Sequence, residues 1–138
     1  MNGGGLMEQW ERWEPITGIP PAIYNDMLLD SKEGIVLKFS DESHKREVII
    51  IFEEGVLSYR NTDEGSLLKM LTYLDQYYGT NFYRNWPLFK VKNSTYLKWF
   101  HEESCGIYES RNVEHYVILT PNDVIEVLST HPPNIVVK

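Results

Sequence analysis

Residues 47–53 contain five consecutive apolar side chains, and this run constrains the fold more than any other segment of the chain. Successive side chains of an extended chain point to opposite faces, so Val48, Ile50 and Phe52 share one face and two isoleucines occupy the other. A strand that is apolar on both faces is typical of a sheet covered on both sides. The run is therefore predicted to be a central, fully covered strand.

Shorter segments with alternating apolar and polar residues surround this run. Gly34–Ser40 places Ile35, Leu37 and Phe39 on one face. Short polar connections between neighbouring segments predict an antiparallel meander. Further strands are predicted at residues 24–29, 56–60, 88–91 and 135–137, and a hairpin at 115–119 and 124–128 around a type I turn.

Two segments instead show the spacing of an amphipathic helix. The first spans residues 67–78, with Ser66 predicted to cap its start and Gly79 to end it in a left-handed conformation. The second spans about residues 95–103 and opens at Ser94. Strands and helices that do not alternate regularly predict an α+β fold. We expect a mainly antiparallel β-sheet, a meander plus a C-terminal hairpin, with two α-helices packed on one face.

Length and composition indicate the class of protein. The 138 residues fit a single domain, 1–138, preceded by a glycine-containing leader, 1–7, that need not be ordered. The lone Cys105 cannot form an internal disulfide, which favours a reducing compartment. The chain begins without the cationic and apolar regions of a secretory signal, and no apolar run approaches the about 20 residues that cross a bilayer. We expect a soluble, cytoplasmic protein.

All of the excess negative charge lies in the first half of the chain. Residues 1–65 hold 13 acidic and six basic side chains, whereas residues 66–138 hold seven of each. A net charge of −7 argues against binding to nucleic acid, which needs many cations, so we expect no nucleic-acid partner and no membrane contact. The uneven distribution leaves a homo-oligomer open, with the acidic half against a basic segment.

Acidic residues are also frequent in the predicted turns. If the meander is correct, Asp30, Glu33, Glu53 and Glu54 gather at one end of the sheet, with Lys32 among them. These residues are either ordinary polar turn residues or a docking rim for a basic partner. The sequence leaves both interpretations open.

No catalytic or metal-binding motif is present. His101 and Cys105 are four residues apart on a predicted helix, but a structural zinc site needs about four ligands. Cys105 with His101 or His115 could in principle form a nucleophile and base, yet no cysteine-hydrolase signature surrounds it. We predict no catalytic residue, no metal and no cofactor, and we favour a protein that is not an enzyme without excluding one.

Residues 76–101 form a compositional island. They hold nine aromatic side chains, four Lys or Arg and no Asp or Glu. The run is interpreted as core, as a protein-binding surface, or as a site for a small ligand or a single strand. Tyr83, Trp86 and Trp99 are the rings expected to be partly exposed, and Trp, Tyr and Arg are enriched at binding hot spots.

A non-catalytic binding protein that acts by protein–protein contact is the leading functional hypothesis. In size and composition the chain resembles bacterial immunity and inhibitor proteins, which cap a partner stoichiometrically, although no motif carries this resemblance. The alternative is a small-ligand-binding domain or enzyme with a pocket between the sheet and the second helix, around Trp99, Cys105 and His115. The predicted partner-binding residues are Tyr83, Arg84, Trp86, Trp99, Glu53 and Glu54.

Overall fold

The computed structural model describes residues 7–138, so the predicted leader lies outside the described residues except for exposed Met7. The described residues form nine strands in two antiparallel sheets, two α-helices and a 3-10 turn at Glu64–Ser66. Neither α-helix in this range is long and apolar enough to cross a membrane. The elements are β1 (Gln9–Arg12), β2 (Tyr24–Ser31), β3 (Gly34–Ser40), β4 (Glu47–Phe52), β5 (Val56–Asp63), α1 (Leu68–Tyr78), β6 (Leu88–Lys92), α2 (Thr95–Glu103), β7 (Glu114–Leu119), β8 (Asp123–Ser129) and β9 (Asn134–Val137).

The first sheet contains β2, β3, β4 and β9 in that order. The alternation predicted for β3 is confirmed, because Ile35, Leu37 and Phe39 are all buried. The pairing of Ile35 with Phe52 fixes the register of β3 against β4. This register places the β2–β3 turn and the end of β4 at the same end of the sheet.

The strand β5 does not continue the meander, which corrects the prediction of one sheet. β4 pairs on its second edge with β9, in the register Val48↔Val137, so neither edge of β4 remains for β5. The chain turns at Gly55, where φ is +84°, and β5 pairs with β8. The result is a second, five-stranded sheet in the order β1-β6-β7-β8-β5, which contains the predicted β7–β8 hairpin.

The two sheets pack face to face around an apolar core. The inner face of the first sheet contributes Leu37 and Ile50, and the second sheet contributes Tyr116, Ile118 and Val127. Each fully buried side chain of this kind stabilises the fold by about 1.5–3 kcal/mol relative to exposure. The alternation of β7 and β8 sends their remaining side chains to the outer face of the five-stranded sheet.

Both helices contact that outer face. Leu74 of α1 is fully buried in a cluster with Phe89 and Val117. Tyr96 of α2 packs in a second cluster with Leu128. The α+β class with mainly antiparallel sheet is thereby confirmed, and α2 begins as predicted because the Ser94 hydroxyl accepts the N–H of Leu97 at 2.9 Å.

The central strand β4 is covered on one side only, which corrects the prediction of cover on both faces. Val48, Ile50 and Phe52 are buried in the core, whereas Ile49 and Ile51 remain partly exposed on the outer face of the four-stranded sheet. The physical reason is that both helices pack on the other sheet. A continuous apolar run indicates a buried strand but does not show which sheet a helix will cover.

Two glycines with positive φ offer a test of backbone packing. A Cβ at Gly34 (φ +112°) would lie 2.1 Å from the backbone oxygen of Phe52, whereas a Cβ at Gly79 (φ +86°) would meet no atom within 4 Å. Gly79→Ala should therefore cost only the backbone strain, about 1–3 kcal/mol. Gly34→Ala should cost clearly more, because the β2–β3 turn must also move away from β4.

The measurement is urea unfolding of both variants beside the wild type. Failure of Gly34→Ala to fold while Gly79→Ala folds agrees with the expectation. Equal losses in the two variants would contradict the close approach of the β2–β3 turn to β4.

Candidate functional site

Tyr83 and Arg84, two of the predicted partner-binding residues, lie beside the turn between β7 and β8. They line a cavity of about 240 Å³ that also includes Pro121. Tyr83 is partly buried, and its hydroxyl donates a hydrogen bond to Asp75 Oδ1 at 2.9 Å. Burial, followed by this carboxylate, raises the pKa of Tyr83. The Tyr83 ring therefore helps to hold its loop on α1 and is only partly available to a partner.

Trp86 is largely built into the interior. Its ring packs against both the core between the sheets and the cluster under α1, and its Nε1 donates to the backbone oxygen of Trp13 at 3.0 Å. Other rings of the aromatic run continue this packing. Tyr78 stacks on Phe82 with centroids 4.4 Å apart, and Phe82 lies 4.9 Å from Phe89. The interpretation as core therefore describes much of the run.

Trp99 differs from these rings, because 51% of its surface is exposed. It stacks against Tyr96 with centroids 5.9 Å apart. Tyr96 is fixed in turn by a hydrogen bond with Ser58 and by the guanidinium of Arg60, which lies 4.0 Å from the centre of its ring. These four residues and Tyr59 line a cavity of about 280 Å³, hereafter the Trp99 cavity.

Four polar side chains form a connected network between α2 and the strands next to this cavity. Arg60 on β5 donates two hydrogen bonds to Glu126 on β8, at 2.6 and 3.0 Å. Glu126 Oε1 lies 3.0 Å from Nε2 of His115 on β7. The other ring nitrogen of His115, Nδ1, lies 2.7 Å from the hydroxyl of Ser94, which caps α2.

Serine, histidine and glutamate in hydrogen-bonding contact are also the components of a hydrolase triad. Ser94, His115 and Glu126, however, expose only 3%, 2% and 3% of their surfaces. The Ser94 hydroxyl is also engaged in accepting the N–H of Leu97. The arrangement therefore satisfies buried polar groups and fixes α2 on the sheet, and it offers no accessible nucleophile.

The electrostatics of Glu126 follow from this network. Burial raises the pKa of the carboxyl group, but hydrogen bonds and charges from His115 and Arg60 outweigh burial, so the net pKa is lowered. One signal for this network was present in the sequence: Glu126 lies within the otherwise apolar run 124–128, and a buried charge needs a partner. The long-range partners Arg60 and Ser94 were missed.

The residues of the alternative pocket lie in different environments. His115 faces Ser94 and Glu126 inside the protein, whereas Cys105 is exposed just after α2. Trp99 lines its cavity with residues of β5 and α2 instead. Across residues 7–138, no three His, Cys, Asp or Glu side chains gather closely enough to hold a metal ion.

The acidic turn residues meet in an open cavity of about 520 Å³, hereafter the acidic cleft. Its lining includes Asp30, Glu53, Glu54, Lys32 and Tyr59. The hydroxyl of Tyr59 on β5 donates to Asp30 Oδ2 on β2 at 3.1 Å, and this bond raises the pKa of Tyr59. The expected gathering of acidic turns is thus found for three of the carboxylates, including both predicted site residues.

The acidic cleft and the Trp99 cavity share Ser58 and Tyr59 of β5. Tyr59 pairs with buried Val127 and belongs to the inner face, whereas Arg60 pairs with Glu126 on the outer face. The two cavities therefore flank the same strand. Together with residues 56–60 they are called the β5-edge surface, which contains Trp99, Glu53 and Glu54 but neither Tyr83, Arg84 nor Trp86.

Replacing Glu126 by Gln should lower the free energy of unfolding at neutral pH by about 2 kcal/mol, since hydrogen bonds to charged groups contribute about 1.5–3 kcal/mol. The folded pKa lies below the ordinary value of 4.5. The carboxylate therefore stabilises the fold above the unfolded pKa, and this contribution is lost as pH falls through the folded pKa.

Urea unfolding of the wild type and Glu126→Gln at a series of pH values checks this expectation. Exposed Glu109 supplies the control, because Glu109→Gln changes a surface carboxylate, and surface substitutions usually change stability by less than about 0.5 kcal/mol. A difference between the wild type and Glu126→Gln that stays constant from neutral to acidic pH would contradict the assignment.

Comparison with protein-family models, characterised proteins and solved structures yields no match for this chain. The functional conclusion therefore rests on the geometry of the described residues.

Proposed function

We propose that this protein is a non-catalytic binding protein that recognises a protein partner through its β5-edge surface. The observation that carries the proposal is the placement of an exposed tryptophan and an acidic cleft on two sides of one edge strand. Each feature alone is common on protein surfaces. Their sharing of Ser58 and Tyr59 gives a continuous surface with two different chemistries.

Trp99 has the properties of an interface anchor. Tryptophan is enriched among hot-spot residues, where truncation costs about 2 kcal/mol or more. The ring is already supported by Tyr96, and Tyr96 is held by Ser58 and Arg60. A side chain that is ordered before binding loses less conformational entropy on binding, so this support favours affinity.

Charge indicates the kind of partner. Asp30, Glu53 and Glu54 line the acidic cleft with Lys32 as the only basic residue among its described lining residues, and the chain as a whole carries a net charge of −7. A basic surface on the partner would complement this potential and would be steered toward it. The negative charge of the cleft also disfavours nucleic acid as the partner, because it would repel the phosphate backbone.

Binding without catalysis agrees with the burial of the Ser94–His115–Glu126 contacts, because the reactive groups in them are sealed from solvent. The small-ligand alternative would use the Trp99 cavity. Its volume of about 280 Å³ lies just below the about 300–1,000 Å³ of typical ligand pockets. Stoichiometric capping of a partner, as the resemblance to immunity and inhibitor proteins implies, is the role that we favour.

The test is quantitative capture of partners from a lysate of the native source, with wild-type and variant baits. Trp99→Ala should weaken capture of the main partner about 30-fold, the equivalent of about 2 kcal/mol. A bait that combines Glu53→Gln with Glu54→Gln should also weaken capture. Its loss relative to the wild type should grow as salt is lowered, because the lost attraction is electrostatic and is screened least at low salt.

Tyr77→Ala is the matched control, because Tyr77 is 60% exposed on α1 and lies outside both cavities. Its capture should equal that of the wild type. The contribution of Tyr83, Arg84 and Trp86 stays a prediction, and an Arg84→Ala bait examines that second location. Capture that is unchanged in both the Trp99 and the Glu53/Glu54 variants would remove the β5-edge surface as the binding site.

A further inference from the structure

We infer that the partner docks on β5 as an added β-strand whose side chains alternate between basic and apolar, an inference that rests on the proposed function. Among residues 7–138, β5 is the last strand of the five-stranded sheet and pairs on one side only, with β8. Alternate residues of such an edge strand direct their N–H and C=O groups away from the sheet. An extended peptide can satisfy these groups by strand addition.

β5 is the most suitable of the four sheet edges for this pairing. The edge strands β1 and β9 have only four residues each. β2 and β5 have eight residues each, and each has one register shift near its start. After the shift, Ser58–Asp63 of β5 and Met27–Ser31 of β2 pair without interruption. What distinguishes β5 is that both the acidic cleft and the Trp99 cavity lie against it.

The two cavities determine which side chains an added strand would carry. Side chains of a strand alternate between the two faces of its sheet, so an added strand would present every second residue to each cavity. Residues beside Tyr59 would face Asp30, Glu53 and Glu54, which favour Lys or Arg. Residues on the other face would meet Tyr96 and Trp99, which favour apolar or aromatic side chains.

Arg60 does not oppose a basic partner of this kind. Its guanidinium makes two hydrogen bonds to Glu126 and lies over the Tyr96 ring, so its charge is largely neutralised. The face with Trp99 is therefore close to neutral and the face with the cleft is acidic. This difference favours a partner strand in which basic and apolar residues alternate over one that is uniformly basic.

Charge also decides against a second copy of the chain as the occupant. Antiparallel pairing of β5 with β5 of another copy would lay Arg60–Asp63 of one copy beside the acidic cleft of the other. The one cation in that segment, Arg60, is already bonded to Glu126, and Asp63 would add a like charge, which is unfavourable. A basic segment of another protein is therefore the occupant that the surface favours.

The probe is an eight-residue peptide of alternating Lys and Val, compared by fluorescence anisotropy with a peptide of the same composition in which all Lys precede all Val. The alternating peptide should bind at least about tenfold more tightly, a difference of about 1.4 kcal/mol. Trp99→Ala and the combined Glu53→Gln and Glu54→Gln variant should each weaken its binding, whereas Tyr77→Ala should not.

N-methylation separates strand addition from other modes of binding. In one modified peptide all Lys amides are methylated, and in the other all Val amides. Only every second N–H of an added strand points toward β5, so one of the two modified peptides should lose binding and the other should retain it.

Each remaining outcome overturns the inference. Equal binding of the alternating and block peptides, or retention of binding by both methylated peptides, would exclude an added strand. The proposed function would survive these results if the lysate partner still required Trp99. If light scattering shows that the free protein is a dimer and that the alternating peptide dissociates it, the β5 edge is occupied by a second copy of the chain. Capture of the lysate partner that requires neither Trp99 nor the Glu53 and Glu54 carboxylates would instead refute the proposed function itself.

Discussion

The pairing of β4 with β9 decides the arrangement of the rest of the chain. Each strand in a sheet has two edges, and β4 shares them with β3 and with the C-terminal strand. The chain that leaves β4 at Phe52 therefore cannot pair again with the same strand. Gly55 allows the turn, and β5 becomes an edge of the opposite sheet. With β9 in this position, β5 lies in the opposite sheet and lines the acidic cleft together with residues of β2 and of the turn after β4.

The same closure brings the two candidate binding features together. The β2–β3 turn and the end of β4 supply carboxylates at one end of the sandwich, and β5 passes directly beside them. On its other face β5 meets α2 through Arg60 and Ser58, which support Tyr96. The exposed ring of Trp99 rests on Tyr96. The acidic cleft and the Trp99 side chain of α2 therefore lie next to the same strand, β5.

The buried polar network gives α2 its fixed position. Ser94 caps the helix and contacts His115, and Glu126 connects that histidine to Arg60. Buried polar groups are costly when unpaired, so each member restricts where the others can lie. Serine, histidine and glutamate, which can form a catalytic triad, here hold α2 in place on β5, β7 and β8. The position of Trp99 depends on this alignment.

Local patterns predicted most elements well. The alternation of β3, the hairpin of β7 and β8, and the cap of α2 at Ser94 were all readable because they depend on residues close in sequence. β1 was missed, since Gln9–Arg12 contains a single apolar side chain, Trp10. The start of α1 was placed too early, because Asp63 caps a 3-10 turn that includes Ser66 before the helix begins at Leu68.

The sequence by itself determined the α+β class, most of the strand and helix segments and the excess of negative charge in the first half of the chain. Only the tertiary structure decided which strand pairs with β5 and which face of β4 remains uncovered. It also decided that Trp99 is exposed whereas Trp86 is largely interior. Periodicity and capping act over a few residues, whereas strand partners depend on which edges are still free. The contrast between Trp86 and Trp99 likewise depends on elements that lie far apart in the chain.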